Sequence, residues 1–135
     1  MREALIGAIG EDGARLQGGI PAIPLTQLSS VMTAFNNDVD PRLTYAQLVY
    51  SLGREGDVLI AISTSGNSEP CALAASAARA LGINVISLTG EGGGRLAPLS
   101  TVAIKVPERE TFKVQELHLP VYHFLCAETE RKIFG

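Results

Sequence analysis

Residues 57–81 read Asp57-Val58-Leu59-Ile60-Ala61-Ile62-Ser63-Thr64-Ser65-Gly66-Asn67-Ser68-Glu69-Pro70-Cys71-Ala72-Leu73-Ala74-Ala75-Ser76-Ala77-Ala78-Arg79-Ala80-Leu81. After Asp57 the run to Ile62 is continuously apolar, as expected of a central strand covered on both faces. Pro70 to Leu81 is an alanine-rich helix stopped by Gly82, and its small side chains let it lie close against a sheet. Strand, hydroxyl-rich loop and helix in that order predict an α/β fold built on a parallel β-sheet flanked by helices.

Reading outward, Ile83 to Leu88 is the next strand, Thr89 to Gly94 a glycine-dense turn and Thr101 to Val106 a further strand. Thr111 to Phe134 is a long closing helix interrupted by Pro120. Upstream, Asp40-Pro41 offers an N-cap with proline at the first helical position. Tyr45, Leu48, Val49 and Leu52 then repeat at helical spacing before Gly53. Leu28, Val31, Met32 and Phe35 form an earlier stripe of the same kind. Pro21 to Leu25 is expected as a first short strand, giving a four-strand sheet. Leu5 to Ile9 reads either as a strand leading into the turn Gly10-Glu11-Asp12-Gly13 or as a turn of helix.

The chain of 135 residues is the size of one domain, so residues 1–135 are read as a single unit whose first twenty residues are atypical. With 46% apolar residues, 14 glycines and 5% aromatics, its packing relies on small side chains and tight turns. The formal charge of −3 is spread along the chain, which argues against nucleic acid as a partner. No apolar run reaches the ~20 residues that cross a bilayer. The start Met1-Arg2-Glu3-Ala4 is not a signal peptide, so the expected location is the cytoplasm. Cys71 and Cys126 share no disulfide or metal spacing and read as small buried hydrophobes in a reducing compartment.

In open α/β sheets, ligands settle at the carboxyl ends of strands, where helix N-termini present unpaired N–H groups and partial positive charge. Residues 62–70 fit that description. Ser63, Thr64, Ser65 and Ser68 surround Gly66, whose missing Cβ lets the backbone approach a ligand. Such a loop can hold phosphate without a lysine, through hydroxyls, amides and the helix dipole. Taken alone, the same residues also make an ordinary serine-capped turn.

Ile62-Ser63-Thr64-Ser65-Gly66-Asn67-Ser68 before an alanine-rich helix resembles the phosphate loop of SIS (sugar isomerase) domains. Gly53-Arg54-Glu55-Gly56-Asp57-Val58-Leu59, Ser87-Leu88-Thr89-Gly90 and Val114-Gln115-Glu116-Leu117-His118 extend the resemblance over about residues 21–134. The likeness is to the phosphoheptose isomerases and the related DnaA initiator-associating proteins. It implies a flavodoxin-like three-layer sandwich in which Ser63, Thr64, Ser65 and Ser68 hold a sugar phosphate. It further implies that Asn37 and Asp38 contact the sugar, that Gln115 and His123 are the catalytic glutamine and histidine, and that the protein is a homo-oligomer, a tetramer as in the family, with the closing helix in the interface.

The first glycine-rich phosphate loop of that family, Gly-Asn-Gly-Gly-Ser, and the helix after it have no counterpart here. Glu11 is the candidate for the family's catalytic glutamate. Gly7 stands where a metal-binding histidine is expected, so a zinc site drawing on Gln115 and His123 is incomplete. Isomerising an aldose to a ketose phosphate needs a base to move a proton between adjacent carbons and a partner to polarise the oxygens. The leading expectation is therefore a phosphoheptose isomerase-like enzyme acting on sedoheptulose 7-phosphate. The rival is a non-catalytic sugar-phosphate sensor or DnaA-associating type of regulator, and the third reading is a shortened product that folds without activity. Eight residues separate Gln115 from His123, about 12 Å along a straight helix, so the two act on different parts of a sugar or come from different subunits. His118 is expected to be a structural, dispensable histidine.

Overall fold

The computed structural model describes residues 2–135. Six α-helices, α1 (Arg2–Ile9), α2 (Glu11–Arg15), α3 (Ser29–Asp38), α4 (Thr44–Leu52), α5 (Glu69–Ala80) and α6 (Thr111–Phe134), accompany three strands, β1 (Val58–Ile62), β2 (Asn84–Thr89) and β3 (Val102–Lys105). The strands form one parallel sheet in the order β1-β2-β3, with Ile60 opposite Ile86 and Ile86 opposite Val102. Parallel neighbours need a crossover. Between β1 and β2 it is α5, and between β2 and β3 it is the loop 90–101 with a short 3₁₀ turn at Ala97–Leu99.

Alternation along the strands sends Leu59, Ala61, Val85 and Ser87 to one side of the sheet, and that side carries the core. Ala72, Ala74, Ala75 and Ala78 of α5 are buried there with Ala61, Val85, Val49 of α4 and Leu96 of the second crossover. Alanines at i, i+3 and i+6 leave α5 with no bulk on its inner face, so the helix backbone settles close to the strands.

Helices flank the sheet, but not evenly. Val58, Ile60, Ile62, Ile86, Leu88, Val102 and Ile104 point the other way, and that face is closed only at its carboxyl end. There Leu88 is buried together with Val106 and with Val114 and His118 from the first turns of α6. The remainder is bare, with Val58, Ile60, Ile62 and Val102 each 51–55% exposed.

Several expectations change. Residues Pro21 to Leu25 are not a strand, and a 3₁₀ turn, Leu25–Gln27, follows instead. Pro21 and Pro24 lack ladder donors, and no strand lies beyond β1 for this segment to pair with, so the sheet has three strands rather than four. Residues Leu5 to Ile9 are helical, and Gly10-Glu11-Asp12-Gly13 is the junction of α1 and α2 rather than a turn at a sheet edge. The hairpin closes where Gly13 meets the Leu5 backbone, 2.6 Å from where a Cβ would stand. Asp40 caps as expected, accepting from the Arg42 amide at 2.8 Å, but its first turn, Pro41–Leu43, is 3₁₀ before α4 begins. Pro120 removes one backbone donor from α6 without dividing the helix. Both cysteines are free; Cys71 is half-buried, and Cys126 is exposed rather than buried.

The alanine face yields a direct test. Ala78 is fully buried, whereas Ser76 on the same helix is exposed. Ala78→Leu should lose about 1–3 kcal/mol of stability in urea denaturation through overpacking, with Ser76→Leu within ~0.5 kcal/mol of the parent. Equal effects would mean that α5 does not lie flush against the sheet.

Candidate functional site

The carboxyl ends of β1 and β2 open onto two loops that lock together. Gly66 sits at φ +69° and Gly94 at φ +51°, both in the left-handed region. A Cβ on Gly66 would collide with the Gly93 carbonyl, and one on Gly94 would stand 2.6 Å from the Ser65 carbonyl oxygen. Only glycine allows this approach. The contact is fastened by the Leu96 N–H donating to the Gly66 carbonyl at 3.0 Å, the Arg95 N–H to the Asn67 side-chain oxygen at 3.1 Å, and the Gly90 N–H to the Thr64 carbonyl at 2.9 Å.

Inside the loop, the Gly66 N–H donates to the Ser63 carbonyl at 3.0 Å and the Asn67 N–H to Ser65 Oγ at 3.1 Å. Among the described residues, the Ser65, Ser68, Glu69 and Cys71 N–H groups have no acceptor in the protein. Ser68 stands at the N-cap of α5, yet its side chain makes no capping bond. Its hydroxyl and the first-turn amides therefore point a helix N-terminus at an open position, an arrangement suited to an anion. Ser63 is buried at the floor, Thr64 and Ser68 are half-buried, and Ser65 is exposed at the rim.

The other candidate residues are all exposed. Asn37 and Asp38 are exposed at the end of α3, next to Asn36, which accepts from Thr44 Oγ1 at 2.5 Å. Gln115 is exposed in the second turn of α6. Its neighbour Val114 approaches Gly90, where a Cβ would come within 3.1 Å of Val114 Cγ2. This contact brings the start of α6 beside the loop. His123 is exposed two turns further on, its ring edge-on to Tyr122. Glu11 is exposed on α2 and makes no hydrogen bond or ion pair with the loop.

Gln115 and His123 are thus two turns apart on α6, and Glu11 makes no bond to the loop. No group of three His, Cys, Asp or Glu side chains able to hold a metal occurs among the described residues. The described residues of one chain thus offer zinc no such donor set, and no chemical step is assigned to it. His118, by contrast, has a structural place that spacing alone could not give. It is 2% exposed, with Nε2 3.2 Å from the Thr89 carbonyl oxygen, so that α6 is pinned to the end of β2. Nδ1 has no partner. A carbonyl oxygen can only accept, so Nε2 carries the proton of this bond.

The glycine contact predicts that Gly66→Ala is destabilised by about 2 kcal/mol or more, from strain at positive φ together with the collision. Gly92→Ala, with nothing within 4 Å, is the control and should melt like the parent. Matching melting temperatures for the two variants would show that the loops do not interlock.

Comparison with known proteins agrees with this fold. The sequence pattern of the SIS domain family matches residues 26–127. The chain is 43% identical over 115 residues to a phosphoheptose isomerase from Nitratidesulfovibrio vulgaris, covering 85% of this chain and 55% of that one. It is 42% identical over 124 residues to a phosphoheptose isomerase from Methylibium petroleiphilum, covering 90% and 62%. The solved phosphoheptose isomerase from Neisseria gonorrhoeae superposes with a TM-score of 0.76 at 39% identity, over 78% of this chain and 59% of that one. That from Francisella tularensis gives 0.78 at 35%, over 82% and 60%. The chain therefore spans between 55 and 62% of the length of these relatives. The family pattern covers most of the chain, and the fold agrees with it: this protein belongs to the SIS domain family.

Proposed function

We propose that the protein binds a sugar phosphate on the Ser63–Ser68 loop and acts as a phosphoheptose isomerase-like aldose–ketose isomerase, with sedoheptulose 7-phosphate as the substrate. The carrying observation is the uncapped N-terminus of α5 facing four hydroxyls at the carboxyl end of β1. The names of the relatives supply the sugar. In this reading the phosphate takes the Ser63, Thr64, Ser65 and Ser68 hydroxyls and the free amides, while Asn37 and Asp38 bond to sugar hydroxyls. A base removes the proton from C1 of the ketose to give an enediol and returns it to C2, and the hydroxyl proton moves from O1 to O2. His123 is the acid–base group and Gln115 polarises the oxygens.

Because His123 lies two turns beyond Gln115, the two act on different parts of a sugar or come from different copies of the chain, and the second arrangement is the one adopted in this reading. We propose self-association for this reason, a tetramer being what the resemblance implies. Two surfaces support it: the bare sheet face, and α6, around which Leu119, Tyr122 and Phe124 are exposed. An apolar surface of this extent marks an interaction site in a stable protein. A second reading, sugar-phosphate binding without turnover, is favoured by one observation: Gln115 and His123 stand two turns apart on α6.

Calorimetry with sedoheptulose 7-phosphate and a coupled isomerase assay separate the readings. Ser65→Ala/Ser68→Ala should weaken binding by at least tenfold, roughly the loss of two hydrogen bonds to a charged group. His123→Asn should abolish turnover while leaving binding within about twofold, since the histidine acts on the carbons and not on the phosphate. Unchanged affinity in the double variant rejects the phosphate loop, and binding without any turnover in the parent selects the sensor. Light scattering reads the assembly, where a monomer mass at micromolar concentration removes both the tetramer and the shared site.

A further inference from the structure

Glu69 is the first residue of α5 and the one acid in its first turn. Its carboxylate therefore stands beside the amides offered to phosphate, where like charge opposes an incoming anion. Arg42 reaches it from the preceding turn, with Nη1 3.6 Å from Glu69 Oε1. The same guanidinium is gripped by Asp40, which accepts from Nε at 3.1 Å and Nη2 at 2.7 Å. Hydrogen bonds from the Arg42 side chain and then its amide hold the Asp40 carboxyl below its ordinary range. The turn Pro41–Leu43 lies between α3 and α5, and Thr44, directly after it, holds Asn36. One short segment thus connects the end of α3, with Asn37 and Asp38, to the start of the phosphate loop's helix.

We propose that Arg42 is a positioning and charge-masking residue that sets the anion affinity of the Ser63–Ser68 loop by neutralising Glu69. The inference rests on the phosphate reading and deepens it. The three side chains carry −1, +1 and −1, a net charge of −1 beside the helix start. Removing Arg42 makes this −2, removing the Glu69 charge makes it 0, and removing both restores −1. Affinity should follow that order. Asp40 caps the amide of residue 42 and not the guanidinium alone, so the turn survives truncation of the side chain.

The test is calorimetry on the full chain, with inorganic phosphate and sedoheptulose 7-phosphate as probes, for the parent, Arg42→Ala, Glu69→Gln and the double variant. Arg42→Ala should bind about two- to fivefold more weakly and Glu69→Gln more tightly by a similar factor, the range of partly exposed ion pairs. The double variant should return to the parent value, and all differences should narrow as salt rises. A purely structural role for Arg42 would leave the double variant as weak as Arg42→Ala, and that result overturns the proposal. If Arg42→Ala fails to fold, Glu69→Gln decides alone, and unchanged affinity counts against the idea. A parent that binds neither probe overturns the phosphate reading and this inference together. A parent whose binding is lost in Ser65→Ala/Ser68→Ala, with the four affinities equal, overturns this inference only.

Discussion

The seating of α5 on the sheet is the constraint from which the site follows. Four buried alanines let the helix approach β1 and β2 closely, and this closeness fixes where its N-terminus emerges. Ser68 and the first-turn amides then stand directly above the end of β1. The neighbouring crossover must pass over the same opening, so Gly66 and Gly94 meet backbone to backbone. Bulkier residues at Ala75 or Ala78 would lift the helix and carry the uncapped end away from the hydroxyls below it. The stability of this region and the placement of the uncapped helix end are one packing problem.

What could be read directly from the sequence was what is local. The apolar run after Asp57, the alanines of α5 and the glycine stop at Gly82 each state their structure within a few residues, and the bounds of α6 are marked as plainly. Pro21 to Leu25 misled because a strand is defined by its partner: the composition suits an extended segment, but no neighbour exists to accept its ladder. The same limit applies to the site. Hydroxyls clustered along one loop are visible in sequence, whereas the bond from His118 to Thr89 and the bridge from Arg42 to Glu69 join residues 29 and 27 positions apart. The resemblance supplied roles for Asn37, Asp38, Gln115 and His123 that spacing could not. The structure leaves all four exposed, and it puts Glu11 on a helix pair with no bond to the loop.

The sheet itself is lopsided in a way that matches the comparison. Relatives whose matched portion is 55–62% of their length carry further chain that has no counterpart here. In this protein the face opposite α5 is closed only where α6 begins. The core is correspondingly one-sided, resting on small residues and on the interlocked loops rather than on two covered faces.

Strand β1 is uncovered twice over, along its outer edge as well as on that face. Val58-Leu59-Ile60-Ala61-Ile62 contains no charge, no proline and no glycine, the composition that stacks readily into cross-β fibrils. For a solitary copy, that open edge is a template on which a second chain can stack.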